Sequence, residues 1–258
     1  MVDYLRIQQI VQQTDSIILD PELLKQTFTK GPADYVTLVD KRVQSYLQDS
    51  LFHLCPHIQF MGEEKDNNEI DFDKDLWILD PVDGTTNLIQ NCSFSAVSLG
   101  LWSGKNKKIV LGIIYQPFTK ELFFASDGQG AFLNGSPIHV SSKNAFSSCV
   151  ISAGTTPYYK EFADEVFDAS KRVFLNCSDI RRTGSAALDM AYVACGRLDG
   201  YFDKILSPWD YAAGYLIIKE AGGFTSDYSG ELPSFTHKSS ICCSNALIHT
   251  QLLSLVQP

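Results

Sequence analysis

Two aspartates three residues apart, Asp80 and Asp83, close the apolar run Leu76–Leu79 and stand just ahead of Gly84, Thr85 and Thr86. Carboxylates hold hard cations such as Mg²⁺ through oxygen. Free backbone N–H groups at a helix start hold phosphate. Residue types in this order can therefore bind a metal ion and a phosphate in one short loop. Asp-Pro and Asp-Gly are also ordinary turn dipeptides, so the stretch needs partners elsewhere. Gly62-Glu63-Glu64 follows a short apolar segment in the same way. Asp210 lies in Ser207-Pro208-Trp209-Asp210-Tyr211-Ala212-Ala213-Gly214. Asp40 falls in the first turn of a helix expected from about Leu38. Taken singly, paired glutamates are solvated surface, and acids in a first helical turn serve the helix dipole.

The elements that must position these acids can be read from periodicity. An apolar strand delivers Asp80 to its end. Pro81 cannot donate to a ladder, so regular pairing is expected to stop there. Gly84 permits a turn that other residues avoid, and the threonines suit a helix start. Before this loop, Tyr4 to Leu19 reads as one amphipathic helix, 29–34 as an exposed loop around Lys30, and His57–Met61 as a short strand. After it, Ala96–Trp102, Ile109–Tyr115, Glu121–Ala125 and Pro137–Ser141 form an antiparallel meander. From residue 143 strands and helices alternate. Val150–Ala153, Arg172–Leu175, Gly200–Asp203 and Ser240–Cys243 are expected strands. Tyr158–Lys171, Gly184–Gly196, Trp209–Ala221 and Ala246–Val256 are expected helices. An α+β half over 1–143, carrying the metal-binding loops, would meet an α/β half over 144–258 that completes the site. Such a pattern implies layered sheets and helices. Asp71-Phe72-Asp73-Lys74-Asp75 begins like a calcium loop but lacks the required glycine at Leu76 and the closing glutamate at Val82.

Composition narrows the function classes. The 258 residues are 45% hydrophobic and 20% charged, as in an ordinary globular protein, with a net charge of −9. That charge argues against direct nucleic-acid binding or an anionic membrane surface. No apolar run is long enough for a membrane-spanning helix, and Met1–Arg6 lacks a signal-peptide layout. Seven cysteines without a Cys-x-x-Cys pair suggest neither a zinc cluster nor a disulfide framework. A reducing cytoplasm is the expected location.

Three separated acidic segments in this order, with their neighbours, resemble one family. Gly62-Glu63-Glu64, Trp77-Ile78-Leu79-Asp80-Pro81-Val82-Asp83-Gly84-Thr85-Thr86-Asn87 and Trp209-Asp210-x-Ala212-Ala213-Gly214 with Glu220-Ala221-Gly222-Gly223 are similar to signatures of the inositol monophosphatase family. Gly112–Pro117, Leu133-Asn134-Gly135 and Gly184-Ser185-Ala186-Ala187 fit the same pattern. The resemblance spans roughly residues 34–250. It implies an αβαβα layered sandwich, like that shared with fructose-1,6-bisphosphatases, commonly as a homodimer. It implies a lithium-sensitive, Mg²⁺-dependent phosphatase with two or three ions. Glu63, Asp80 and the Val82 carbonyl would hold one ion, and Asp80, Asp83 and Asp210 a second. A third, weaker ion would sit near Glu63. Gly84 and Thr85 would donate N–H groups to phosphate. Thr85, paired with Asp40, would orient the attacking water. Asp203, together with Ser185 and Ala186, would face the substrate. Independently of any family, clustered carboxylates repel, and divalent cations relieve that repulsion while activating a bound water.

Leu88 stands where relatives often have an aromatic residue. The Lys30 segment does not align, and Gly154-Thr155-Thr156-Pro157 replaces a serine-containing loop. These differences leave the substrate open: inositol 1-phosphate first, then NADP(H) or fructose 1,6-bisphosphate. Relatives acting on 3′-phosphoadenosine carry Lys-Glu where this chain has Thr86-Asn87. A covalent aspartyl-phosphate enzyme would show D-x-D-G-T; here one residue too many separates the acids, and Glu63 and Asp210 would have no task. A non-catalytic regulatory relative is the remaining alternative.

Overall fold

The computed structural model describes residues 3–24, 27–31 and 34–257. The chain opens with helices α1 (Tyr4–Gln12), α2 (Asp15–Ile18) and α3 (Pro21–Leu24), then the hairpin β1 (Thr27–Gly31) and β2 (Asp34–Thr37), then α4 (Leu38–Leu54). The helix expected over Tyr4–Leu19 is therefore broken. Thr14 turns its hydroxyl back to the Val11 carbonyl at 2.7 Å, competing with the helical ladder there. The exposed loop expected over 29–34 is also corrected, since Thr29 pairs with Tyr35 and Phe28 with Val36. Alternating β-branched and aromatic residues favour that ladder; Pro32 and Ala33 lie outside the described residues.

A seven-stranded sheet follows: β3 (Gln59–Gly62), β4 (Leu76–Asp83), β5 (Ala96–Ser103), β6 (Lys108–Gln116), β7 (Glu121–Ser126), β8 (Ala131–Leu133) and β9 (Ser136–Ile138), in that spatial order. The short helix α5 (Thr85–Ile89) follows β4. Strand β4 runs through Pro81 instead of ending there. Asp80 pairs with Ser98 and Asp83 with Ala96, so three steps on β4 oppose two on β5. That is a β-bulge, which absorbs the proline's missing donor and re-aims the side chains around it.

The second sheet has five strands ordered β11-β10-β12-β14-β13. They are β10 (Val150–Ala153), β11 (Asp179–Arg181), β12 (Gly200–Leu206), β13 (Gly223–Ser226) and β14 (Ser239–Asn245). Between them run α6 (Ala163–Phe174), α7 (Ala186–Ala194), α8 (Pro208–Glu220) and the closing α9 (His249–Val256). The strand expected at Arg172–Leu175 is instead the last turn of α6. Val166, Ala169 and Val173 recur at helical spacing and are buried on one face. Strand β13 was not anticipated in the sequence.

Three cores stack into the αβαβα sandwich. Helices α1 and α4 cover one face of the seven-stranded sheet through Trp77, Leu79, Leu99 and Ile113. Helices α7 and α8 fill the space between the sheets, against Leu76 and Ile78 on one side and Tyr201, Ile241 and Cys243 on the other. Helices α6 and α9 cover the outer face around Ile151, Phe202 and Cys242. Strand β4 is apolar without alternation because both its faces are buried. The central layer is thin because α8 lies almost on the sheet. A Cβ on Gly112 would meet the Ala213 carbonyl at 2.6 Å.

Candidate functional site

The acids reach one place by different local devices. Thr37 caps α4, and Asp40 closes a capping box by accepting from the Thr37 N–H at 2.8 Å. Ser207 caps α8 in the same way, with Asp210 accepting from the Ser207 N–H at 2.7 Å. The ordinary reading of both residues, as first-turn acids, is thus correct, and each also belongs to a larger assembly. Asp80 sits at the bulge, with Oδ1 accepting from the Val82 N–H at 2.9 Å. Gly84 adopts φ +90°, and a Cβ there would lie 2.7 Å from the Phe94 carbonyl, so glycine is required. Glu63 follows β3, which lies parallel to β4, and its N–H donates to the Leu79 carbonyl at 3.2 Å.

Glu63, Asp80, Asp83 and Asp210 all line one cavity of about 640 Å³, together with Val82, Gly84, Thr85, Ser185, Ala186 and Asp203. Asp40 lies behind the cavity, fully buried, and accepts from Thr85 Oγ1 at 2.8 Å. The same hydroxyl lies 3.1 Å from the Val82 carbonyl. Asp83 Oδ2 accepts from both Ser185 Oγ and the Ala187 N–H at 2.6 Å, which ties β4 to the start of α7. Ser185 is fully buried, its hydroxyl engaged with Asp83. Asp203 accepts from Thr156 at 2.6 Å and from the Tyr201 hydroxyl at 3.2 Å. It packs so tightly on Gly154 that a Cβ there would lie 1.8 Å from Asp203 Oδ2.

The electrostatics are those of an anion cluster. Burial, then Glu63, Asp83 and Asp210, push Asp80 far above the usual carboxylate range. Burial, then Asp83 and Glu63, do the same to Asp210. Burial lifts Asp83 to about 6, against the lowering effect of its Ser185 and Ala187 hydrogen bonds. Burial also raises Asp40 and Asp203. Charged groups so placed call for a compensating cation. The donors are all oxygen, which suits a hard divalent ion. Among the described residues no three of these side chains already close around a single point as a finished cage. The donor chemistry fits Mg²⁺, with side-chain adjustment needed to complete coordination.

Four further residues belong to the site and were missed in the sequence. Asp189, on α7, is 2% exposed, lines the cavity, and has Oδ1 without a hydrogen-bond partner. Burial pushes its carboxyl up to about 7. Asn87 donates to the Phe94 carbonyl at 2.6 Å and the Thr183 carbonyl at 3.0 Å, a strut between chain-distant turns. Arg182 and Lys238 also line the cavity. Asp189 lay hidden in a small-residue helix. Asn87 was legible as part of a motif but not as a strut.

Comparison with known proteins settles the family. The family model described as "Inositol monophosphatase family" matches residues 4–258. The chain belongs to the inositol monophosphatase family. It is 37% identical over 232 residues to the inositol-1-monophosphatase of Rhizobium meliloti (strain 1021), covering 90% of this chain and 86% of that protein. It is 40% identical over 202 residues to the Nus factor SuhB of Escherichia coli (strain K12), covering 78% and 74%. The solved structure of extragenic suppressor protein suhB from Bartonella henselae superimposes with a TM-score of 0.88 at 35% identity, covering 96% and 95%. The layered architecture is thus that of the inositol monophosphatase family.

Proposed function

We propose that the protein hydrolyses phosphate monoesters of small polyols, with inositol 1-phosphate or a related sugar phosphate as substrate, in a Mg²⁺-dependent reaction. The observation that carries this reading is the Thr85–Asp40 hydrogen bond at the edge of an acid-lined cavity. Glu63, Asp80, Asp83, Asp210 and the Val82 carbonyl would hold two or three Mg²⁺ ions. When bound, those ions supply charge neutralisation and a lowered pKa for attacking water. Thr85 gives its single hydroxyl proton to Asp40, which leaves its oxygen to accept a hydrogen from water and aim that water at phosphorus. The Gly84 and Thr85 N–H groups receive the phosphate oxygens. A bond from the water oxygen to phosphorus forms as the ester P–O bond breaks, one proton of that water ends on the leaving oxygen, and the products are orthophosphate and the neutral alcohol. Asp203, with Ser185 and Ala186 nearby, faces the alcohol.

Direct attack by water is preferred over an aspartyl-phosphate route because Asp80, the first acid of the D-x-x-D-G-T stretch and the one such a route would use, is 2% exposed and its Oδ1 accepts from the Val82 N–H. Lithium sensitivity, a homodimer and a cytoplasmic location accompany the reading as family expectations, and no described helix is long and apolar enough to cross a membrane. The test is phosphate release from a panel of monoesters with Mg²⁺, with EDTA and with added Li⁺. Release that ignores EDTA would sink the mechanism. Light scattering would test the dimer. A second reading, a regulatory role, draws on relatives named Nus factor SuhB. It gains if no monoester is turned over while the chain captures a defined protein partner.

A further inference from the structure

A second cavity, of about 210 Å³, lies on the other side of β12, under α6. Gly154 lines both cavities. Successive residues of β12 serve them in turn. Tyr201 and Asp203 line the acidic cavity, Phe202 and Lys204 the second one. The place is a switch point of the five-stranded sheet. Strands β10 and β12 are parallel neighbours. The chain leaves β10 for α6 in the outer layer and β12 for α8 in the central layer. Open α/β sheets take ligands in the crevice outside the carboxyl ends of such a strand pair.

The second cavity has an apolar floor and a charged rim. Val166, Ala169, Phe202 and Val256 line it and are buried. Of the four charges around them, two satisfy each other: Lys204 donates to Glu165 at 2.6 Å. Asp168 and Arg172 do not. They stand one helical turn apart on α6, a spacing at which opposite charges ordinarily pair. Arg172 instead donates to the Leu255 and Gln257 carbonyls, at 2.7 and 2.9 Å. Both charges therefore line the cavity without an ion-pair partner among the described residues. The Tyr228 hydroxyl, on the same wall, has no hydrogen-bond partner among them either. The volume is below the roughly 300–1,000 Å³ of sites for drug-sized ligands, so the occupant is compact. A simple anion would meet Arg172 and be repelled by Asp168, and a metal ion would meet the reverse. A small zwitterion satisfies both, with its ammonium at Asp168, its carboxylate at Arg172 and Tyr228, and an apolar side chain on Phe202.

We propose that this cavity binds a free α-amino acid with a small apolar side chain, and that its occupancy is felt in the acidic cavity through their shared wall. The path is short. The Gly154 N–H donates to the Phe202 carbonyl at 2.7 Å, and Gly154 abuts Asp203 with no room for a Cβ. A ligand resting on Phe202 and Gly154 therefore bears on Asp203. The coupling, though not the site, rests on the phosphatase reading, in which Asp203 faces the alcohol.

Isothermal titration of the full chain tests the site without turnover. L-Valine should bind, one per chain. 3-Methylbutanoate, which lacks the ammonium, and isobutylamine, which lacks the carboxylate, should each bind at least about tenfold more weakly, the scale of one lost charge-assisted hydrogen bond. Asp168 is exposed, and its carboxylate holds no hydrogen bond among the described residues, so Asp168→Asn should fold normally. That variant should lose L-valine affinity by the same factor and bind 3-methylbutanoate no more weakly than the wild type does, a pattern that a structural role would not produce. Three results would each overturn the site: no heat from L-alanine, L-valine or L-leucine at millimolar concentration, L-valine no tighter than its two analogues, or affinity untouched by Asp168→Asn. Saturating L-valine should then shift KM for inositol 1-phosphate about fivefold at constant kcat, the low end of coupling between distinct sites. An unchanged KM would overturn the coupling alone. No phosphate release from any monoester would overturn the phosphatase reading and leave the amino-acid site standing on its titration.

Discussion

Thr85 has one hydroxyl proton and two acceptors within reach, Asp40 Oδ1 and the Val82 carbonyl. Asp40, buried and supplied with donors by Thr37, is the stronger acceptor while ionised. Thr85→Ala should therefore lower kcat by roughly 10²–10⁴-fold, the usual scale for a lost proton-transfer group, with little change in KM. Thr85→Ser should recover most of it; a KM effect alone would reduce Thr85 to a binding residue. Asp210→Asn separates two tasks that one side chain performs. Asparagine's Oδ1 can still accept from the Ser207 N–H, as Asp210 does, so the capping box of α8 survives and thermal stability should stay near wild type. The charge is lost, so Mg²⁺ affinity and turnover should fall steeply. Near-native turnover in that variant would remove Asp210 from the proposed ligands. Asp203→Ala should change substrate preference more than Mg²⁺ affinity, as isothermal titration beside a substrate panel would show.

At the scale of elements, the site depends on two glycine turns and two capped helix starts. Gly84→Ala would force a side chain into a left-handed conformation that costs about 1–2 kcal/mol and against the Phe94 carbonyl. Urea unfolding should show at least that loss, and phosphate release should fall with it. Gly154→Ala would press on Asp203 instead, so its signature should be altered substrate preference. These devices were unevenly legible. Asp80 to Asn87 could be read because strand, turn and helix start are contiguous. The resumption of β4 past Pro81 could not, because a bulge depends on what the partner strand does. The capping box at Asp40 is spelled out by Thr37 three residues earlier, yet its contact with Thr85 spans 45 positions. Arg172–Leu175 looked like a strand because a short apolar run has no period of its own; burial on the α6 face decided it.

For the molecule as a whole, the anion cluster makes stability depend on pH and metal together. Asp83 rises from an ordinary 3.8 to about 6 in the folded state. A raised carboxyl contributes stability that is complete below its unfolded value and lost as pH climbs through the folded one. Metal-free protein should therefore lose stability between about pH 4 and pH 7 through this group, and Asp80 and Asp210 act in the same direction. A cation that binds only the folded, ionised form reverses the loss. The Tm gained on adding Mg²⁺ should be larger at pH 8 than at pH 5, with protons released on binding. A pH-independent gain would mean that Mg²⁺ binds elsewhere. The layered fold was foreseeable from the switch in pattern near residue 143. Asp189, Arg182 and Lys238 were not, because only folding brings three distant segments to one rim.

The double hydrogen bond from Ser185 and Ala187 to Asp83 has a mechanical side. One carboxylate group is at once a wall of the cavity and the clasp between β4 and the first turn of α7. Whatever fixes that carboxylate stiffens the joint between the two sheets' shared helical layer and the loop proposed to receive phosphate. The Ala187 amide, buried deep in the protein, becomes a built-in gauge: its hydrogen–deuterium exchange should slow when Mg²⁺ enters, and the slowing should vanish in Asp83→Asn.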